Sequence, residues 1–141
     1  MDIRFLTPTY AVSPQITAND ADAIAQAGFK LVICNRPDQE VTPDLFMEQI
    51  GAALAEHGVR FETLPLTQET MSLPNAARHA ALMDGAEGPV LAYCRTGTRS
   101  SVIWALGQAK AQDADAILAA TSKAGYELDH LRPLLRSIAA A

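Results

Sequence analysis

Short apolar runs alternate with longer amphipathic stretches along the chain, and this alternation predicts strands separated by helices. The runs that predict strands cover residues 3–6, 10–12, 29–34, 60–65 and 89–93. Between and after them, apolar residues recur at helical spacing within residues 21–27, 43–57, 74–83, 100–106, 113–124 and 128–139. This order is typical of a single three-layer α/β domain, in which a mostly parallel central sheet is flanked by helices.

Several residues mark where the predicted helices begin. Thr17 and Asp20 have the spacing of a capping box before the first helix. Thr42 and Pro43 predict the start of the second helix, because proline is tolerated in a first helical turn. For the same reason, Pro133 fits only the first turn of the last helix.

Composition excludes several classes of protein. With 141 residues, 49% of them hydrophobic, the chain is long enough for one domain, which we expect to span residues 1–141. A formal net charge of −5 argues against binding to nucleic acid. No stretch resembles a signal peptide or a membrane span, so no membrane partner is expected. Two cysteines are too few for a disulfide scaffold, which predicts a reducing, cytoplasmic location.

The stretch from Cys94 to Ser100, CRTGTRS, carries the chemistry of the chain. It lies between an apolar strand and a helix, so its backbone N–H groups and a helix N-terminus are expected to converge on one small anion. Cys94 is the candidate nucleophile, because a helix N-terminus and guanidinium groups stabilise a thiolate. Arg99 is the second candidate catalytic residue, since it can hold an oxyanion through two parallel hydrogen bonds. The rest of the predicted anion-binding loop consists of Arg95, Thr96, Gly97, Thr98, Ser100 and Ser101.

Two further polar loops, residues 35–40 and 66–70, are expected at the edge of the sheet where the Cys94 loop lies. Ligands of such sheets bind beyond the carboxyl ends of the strands. Arg36 either adds to anion binding or, as we favour, pairs with Asp38 or Glu40 and braces its own loop.

The remaining cysteine and the histidines offer less specific signals. Cys34 either resolves an oxidised Cys94 through a disulfide or is a small buried hydrophobic residue. His57, His79 and His130 are predicted to lie on the surface. The cysteines and histidines lack the spacing of a metal site, so neither a metal nor another cofactor is expected.

Four segments together resemble a small bacterial family. They are residues 13–20 (SPQITAND), 27–40 (AGFKLVICNRPDQE), 88–100 (GPVLAYCRTGTRS) and 124–128 (AGYEL). They are similar to DUF442, also called the phosphatase-like domain of beta-lactamase hydrolase-like proteins. The resemblance covers nearly the whole chain and implies a fold like that of dual-specificity phosphatases. The domain also occurs fused to persulfide dioxygenases and to enzymes like sulfide:quinone reductase, which implies sulfur metabolism and a sulfide-oxidation enzyme as a candidate partner.

The Cys94 loop departs from the loop of protein tyrosine and dual-specificity phosphatases, which have His-Cys, five further residues and then Arg. Here Tyr93 stands in place of the histidine. Only four residues separate Cys94 from Arg99, and Ser100 occupies the place of the arginine. Loops of this shorter length resemble those of single-domain rhodaneses, which carry sulfane sulfur on the cysteine.

The resemblance to phosphatases also implies an aspartate that protonates the leaving group, but residues 64–69, LPLTQE, contain none. Glu69 and Asp38 are the candidate substitutes. Sulfur transfer needs no such acid, so both departures favour a rhodanese-like sulfurtransferase. Such an enzyme would accept sulfane sulfur from thiosulfate or a persulfide and carry it as a persulfide on Cys94. The alternatives are a phosphatase that hydrolyses a phosphoester through a phosphocysteine intermediate, and a non-catalytic anion-binding module.

Overall fold

The computed structural model, which describes residues 1–141, contains five strands and six α-helices. The strands are β1 (Arg4–Thr7), β2 (Tyr10–Ser13), β3 (Leu31–Cys34), β4 (Arg60–Thr63) and β5 (Val90–Tyr93). The helices are α1 (Ala21–Gln26), α2 (Met47–Glu56), α3 (Leu73–Asp84), α4 (Thr98–Gln108), α5 (Ala114–Lys123) and α6 (Arg132–Ala140). Each predicted strand and helix is present, with bounds that differ by a few residues.

The strands form one sheet in the order β1-β2-β5-β3-β4. β1 and β2 are antiparallel, whereas β2, β5, β3 and β4 run parallel to one another, which confirms the predicted mostly parallel sheet. β5 lies in the middle, and its last residue, Tyr93, is opposite both Ser13 and Cys34. Cys94 therefore leaves the sheet at the centre of its carboxyl edge.

Apolar side chains fill two cores, one on each face of the sheet. One core joins the strands to α3, α4, α5 and α6 and includes Trp104 and Leu135. The other joins them to α1 and α2 and includes Ile24 and Ile50. Neighbouring strand residues point to opposite faces, so the predicted three-layer arrangement is confirmed. No helix in the structure combines the length and apolarity needed to cross a membrane.

The second helix begins later than the sequence predicts. Pro43 starts only a single 3₁₀ turn that ends at Leu45, and Phe46 is extended, with a ψ of 150°. The α-helix begins at Met47, whose N–H donates to the carboxylate of Asp38 at 2.9 Å. The cap thus comes from a side chain nine positions earlier in the chain, which local spacing cannot reveal.

His79 is buried rather than exposed, so the predicted surface position is wrong. Its side chain lies against Tyr10, whose hydroxyl donates to the Ser100 carbonyl at 2.9 Å. Because that donation uses the only hydroxyl proton, the His79 Nε2–H is the donor in its 2.9 Å contact with Tyr10. His79 Nδ1 has no hydrogen-bond partner, and burial lowers the pKa of the imidazole to about 4. The ring is therefore neutral at physiological pH.

Acid should destabilise the fold through His79. The unfolded chain takes up a proton near the ordinary histidine pKa of 6.5, whereas the folded protein resists protonation down to about 4. The unfolded state binds more protons in this window, so the free energy of unfolding should fall by about 3 kcal/mol as the pH drops through it. Urea unfolding at a series of pH values measures this slope. His79→Gln keeps an N–H donor for Tyr10 but cannot titrate, and an unchanged slope in this variant would contradict the assignment.

Candidate active site

The Cys94 loop connects the central strand to the start of α4. Gly97 immediately precedes the helix with a φ of +95°, a left-handed conformation that glycine adopts without strain. This turn brings the backbone back towards the cysteine, and the Gly97 N–H donates to Cys94 Sγ at 3.1 Å. Cys94 itself is only 1% exposed. The sulfur thus lies at the N-terminus of α4, the positive end of the helix dipole.

Other amide groups of the same loop have no acceptor in the protein. The N–H groups of Arg95, Thr96, Arg99 and Ser100 make no hydrogen bond with backbone or side chain. Such groups at a helix N-terminus are suited to the oxygens of a small oxyanion. The loop therefore offers several N–H donors beside a candidate nucleophile, and anion binding by this loop stays a prediction.

Arg99 links the Cys94 loop to both neighbouring polar loops. Its two terminal nitrogens donate to the two carboxylate oxygens of Glu40 at 2.7 and 2.8 Å, and Nη1 also donates to the Leu66 carbonyl at 2.8 Å. These bonds to Glu40, and to a lesser extent the charge of Cys94, raise the pKa of Arg99. The Nε–H and one Nη2–H of the guanidinium are left to bind an oxyanion in a two-point grip.

Glu40 receives a second arginine from its own loop. Arg36 Nε donates to Glu40 Oε1 at 3.2 Å, and Arg36 also donates to the Glu40 carbonyl and to the Gln15 side chain. Arg36 therefore braces its loop, as predicted, and lies in an ion pair instead of standing free for an anion. The two arginines, Arg99 first, hold the pKa of Glu40 below its usual value. Glu40 thus remains a carboxylate that anchors Arg99.

The loop hydroxyls mostly stabilise the loop itself. Ser101 Oγ donates to the Gly97 carbonyl at 2.8 Å, and Ser100 Oγ donates to Asn35 Oδ1 at 2.7 Å. Both serines are fully buried. Thr96 and Thr98 are exposed, and their hydroxyls contact each other at 2.9 Å. Of the predicted loop residues, these threonines and Arg95 are exposed, and the Arg99 side chain is partly exposed.

Asn35 is a site residue that sequence reasoning missed. It is fully buried at the end of β3, where its amide bridges the Ser100 hydroxyl and the Leu64 carbonyl, the latter at 3.0 Å. It therefore ties the Cys94 loop to the segment after β4. A polar residue directly after four buried strand residues is a signal that could have identified it, since a buried amide needs such partners.

The candidate supporting residues lie in different environments. Asp38 uses one oxygen to cap α2, and Glu69 accepts a hydrogen bond from the exposed Thr67 hydroxyl at 3.0 Å. Cys34 is buried in the core on the α1–α2 side, where its thiol contacts the Arg36 carbonyl at 3.2 Å. Burial raises the pKa of Cys34, as expected for a small hydrophobic residue. Both cysteines are free thiols, and a resolving role for Cys34 stays a prediction.

Comparisons with known proteins place this arrangement in a family. The sequence model of one family, the phosphatase-like domain of beta-lactamase hydrolase-like proteins, matches residues 2–111. A beta-lactamase hydrolase-like protein of Agrobacterium fabrum is 32% identical over 101 residues, which are 72% of this chain and 23% of that protein. The chain therefore spans about a quarter of the length of this curated relative.

Solved structures extend the likeness to the fold. The crystal structure of a candidate phosphatase from Neisseria meningitidis matches with a TM-score of 0.86 at 38% identity, over 98% of this chain and 99% of that one. A candidate phosphatase of the DUF442 family from Shewanella putrefaciens matches with a TM-score of 0.72 over 99% and 89% of the two chains. At 19% identity, this second likeness bears on the fold alone.

Both the fold and the resemblance drawn from the sequence are confirmed by these matches. The phosphatase-like α/β fold carries Cys94 at the centre of the sheet edge. The sequence predicts an enzyme that is either a cysteine-dependent sulfurtransferase or a phosphatase, and the family match supports the phosphatase-like class of the two. This chain belongs to the family of phosphatase-like domains of beta-lactamase hydrolase-like proteins.

Proposed function

We propose that this protein is a cysteine-dependent phosphatase that hydrolyses small phosphate monoesters. The observation that carries the proposal is the Gly97 N–H at 3.1 Å from Cys94 Sγ, at the start of α4 and among unpaired amides of the same loop. Membership of a phosphatase-like family and the likeness to the candidate phosphatase of Neisseria meningitidis support it.

In the proposed reaction, the Cys94 thiolate attacks the phosphorus atom of the ester. An S–P bond forms as the bond from phosphorus to the leaving oxygen breaks. The electron pair of that bond stays on the leaving oxygen, which takes a proton from water to give the alcohol. The loop amides and the free edge of the Arg99 guanidinium stabilise the charge on the three equatorial oxygens. Water then attacks the phosphocysteine, which releases inorganic phosphate and restores the thiolate.

Both candidate general acids make other hydrogen bonds. We therefore expect the preferred substrates to have a leaving group that needs little protonation. One oxygen of Asp38 accepts from the Met47 N–H, and Glu69 is exposed beside Thr67. An aryl phosphate releases a phenol with a pKa of about 10, which leaves with less help from an acid than an alkyl alcohol. We therefore propose aryl phosphates such as phosphotyrosine as the preferred class. Pseudomonas aeruginosa TpbA, a protein of this fold at 18% identity, has been solved in complex with phosphotyrosine.

Sulfur transfer, which the loop length favours from sequence alone, finds no support in the family or in the related structures. The matching family is one of phosphatase-like domains, and the relative from Neisseria meningitidis is a candidate phosphatase. The proposal therefore takes phosphate monoesters as substrates in place of thiosulfate and persulfides. It includes no sulfide-oxidation enzyme as partner. The shorter loop between Cys94 and Arg99 makes sulfur transfer the appropriate competing reaction in the test.

The test compares the two reactions on the same preparation. Phosphate release from p-nitrophenyl phosphate and thiocyanate formation from thiosulfate and cyanide are measured for the wild type and for Cys94→Ser. We expect phosphate release that depends on Cys94 and no thiocyanate above the background of the serine variant. Thiocyanate formation that depends on Cys94, without phosphate release, would replace the phosphatase proposal by sulfur transfer. Absence of both activities would favour an anion-binding module.

A further inference from the structure

The segment AGYEL, residues 124–128, places a tyrosine against the back of the Cys94 loop. Tyr126 is only 8% exposed and contacts both Thr96 and Gly97, although 30 positions separate it from Thr96. We infer that Tyr126 is a positioning residue, which fixes the peptide unit between Thr96 and Gly97 so that its N–H faces Cys94 Sγ. The inference deepens the proposed function and rests on it for its effect on turnover.

The peptide unit between Thr96 and Gly97 makes one hydrogen bond to Tyr126 and one to Cys94. The Tyr126 hydroxyl donates to the Thr96 carbonyl at 2.9 Å, and the Gly97 N–H of the same peptide donates to Cys94 Sγ at 3.1 Å. In a planar trans peptide the C=O and N–H point in opposite directions. A hydroxyl that holds the oxygen on one side therefore holds the N–H on the sulfur side. The hydrogen bond to the carbonyl also polarises the unit, which strengthens its N–H as a donor.

The contact is tight enough to require glycine at position 97. A Cβ at Gly97 would lie 2.1 Å from the Tyr126 hydroxyl oxygen, and the φ of +95° disfavours other residues. The same freedom lets a peptide beside glycine rotate. Without the hydroxyl, rotation of this unit would turn the Thr96 carbonyl towards the sulfur. A carbonyl oxygen there would repel the thiolate that the N–H stabilises.

Tyr126 is itself held through its ring and through its backbone. Arg4 lies over the ring at 5.5 Å from its centre and donates to the Ala124 carbonyl at 3.0 Å. The Tyr126 N–H donates to the Thr121 carbonyl at 2.8 Å, at the end of α5. Burial raises the pKa of Tyr126, so its hydroxyl remains a donor at neutral and mildly alkaline pH. The support for the loop thus extends from β1 and α5, outside the loop sequence.

Tyr126→Phe tests the inference, because it removes the hydroxyl and keeps the ring. The readout is the rate at which iodoacetamide alkylates Cys94, followed by peptide mass spectrometry from pH 5 to pH 9. We expect about fivefold slower alkylation at neutral pH, the order expected for loss of one hydrogen bond, with the midpoint of the profile moved to higher pH. Thr121→Val is the matched control, since it removes another buried hydroxyl-to-carbonyl hydrogen bond, at 3.2 Å, and keeps the Thr121 carbonyl that accepts from the Tyr126 N–H.

The outcomes separate this inference from the proposed function. An alkylation profile of Tyr126→Phe that coincides with the wild type and Thr121→Val would overturn the inference. A shifted profile supports it even if the wild type releases no phosphate, since alkylation needs a thiolate that the reagent can reach and needs no turnover. If the protein is a phosphatase, kcat should fall by a similar factor in Tyr126→Phe. Should that variant fail to fold, Gly97→Ala replaces it, and normal Cys94 alkylation in Gly97→Ala would count against the inference.

Discussion

Replacement of Cys94 by serine should lower kcat for p-nitrophenyl phosphate by about ten-thousand-fold or more. The change is nearly isosteric, but a serine hydroxyl is hardly ionised at neutral pH, so the Gly97 N–H then has no anion to stabilise. Binding should persist, because the loop amides and Arg99 are unchanged. Steady-state kinetics measures the loss of turnover, and competition by inorganic phosphate measures the retained binding.

Cys34→Ser is the matched control for this prediction. Cys34 is the only other cysteine, and its thiol contacts the Arg36 carbonyl within the core on the α1–α2 side. Its replacement should lower stability while kcat stays within about threefold, since buried cysteines act as small hydrophobic residues. Equal losses of activity in the two serine variants would show that Cys94 has no special role. Full activity in Cys94→Ser would have the same meaning.

Arg99→Lys should lower kcat by about a hundredfold, the loss typical when one preorganised donor to a developing oxyanion is removed. A guanidinium can bind Glu40 with its terminal nitrogens and still present its Nε edge to phosphate. An ammonium is a point charge without this fork, so it will bind either Glu40 or the substrate but not both in the same geometry. The values of kcat and KM for p-nitrophenyl phosphate measure the effect.

Arg36→Lys provides the comparison for Arg99→Lys. Arg36 contacts the same carboxylate from the loop that carries Glu40, and it makes no hydrogen bond with the Cys94 loop. Its replacement should change kcat by less than about fivefold, because a lysine keeps the positive charge beside Glu40 and position 36 has no hydrogen bond to the Cys94 loop. If the two lysine variants lose activity equally, Arg99 acts only through its ion pair with Glu40, the carboxylate that Arg36 also contacts. A loss confined to Arg99→Lys supports direct contact with the substrate.

The sequence predicts the sheet and the Cys94 loop because their signals are local. An apolar strand, a short polar stretch with Gly97 and a second apolar stretch can be recognised within twenty residues. The capping box is equally local, and the Thr17 N–H does donate to the Asp20 carboxylate at 2.8 Å. Such features depend on backbone geometry and spacing, which neighbouring residues determine.

Long-range partners decide the features that the sequence could not predict. Arg99 and Glu40 are 59 positions apart, and their pairing depends on which loops the parallel strands bring to one edge. His79 is polar and lies on a helix of mixed composition, so its burial follows from the tertiary partner Tyr10. The start of α2 at Met47 likewise depends on Asp38, which lies on a separate turn.

The most direct test of the account is to identify what becomes attached to Cys94 during turnover. The wild type is mixed with p-nitrophenyl phosphate, or in parallel with thiosulfate, and denatured within milliseconds before mass spectrometry of the peptide that contains Cys94. We predict a phosphoryl group on Cys94 after the phosphate ester, absent from Cys94→Ser, and no added sulfur atom after thiosulfate. A sulfur atom on Cys94 after thiosulfate, with no phosphoryl group after the ester, would contradict the account.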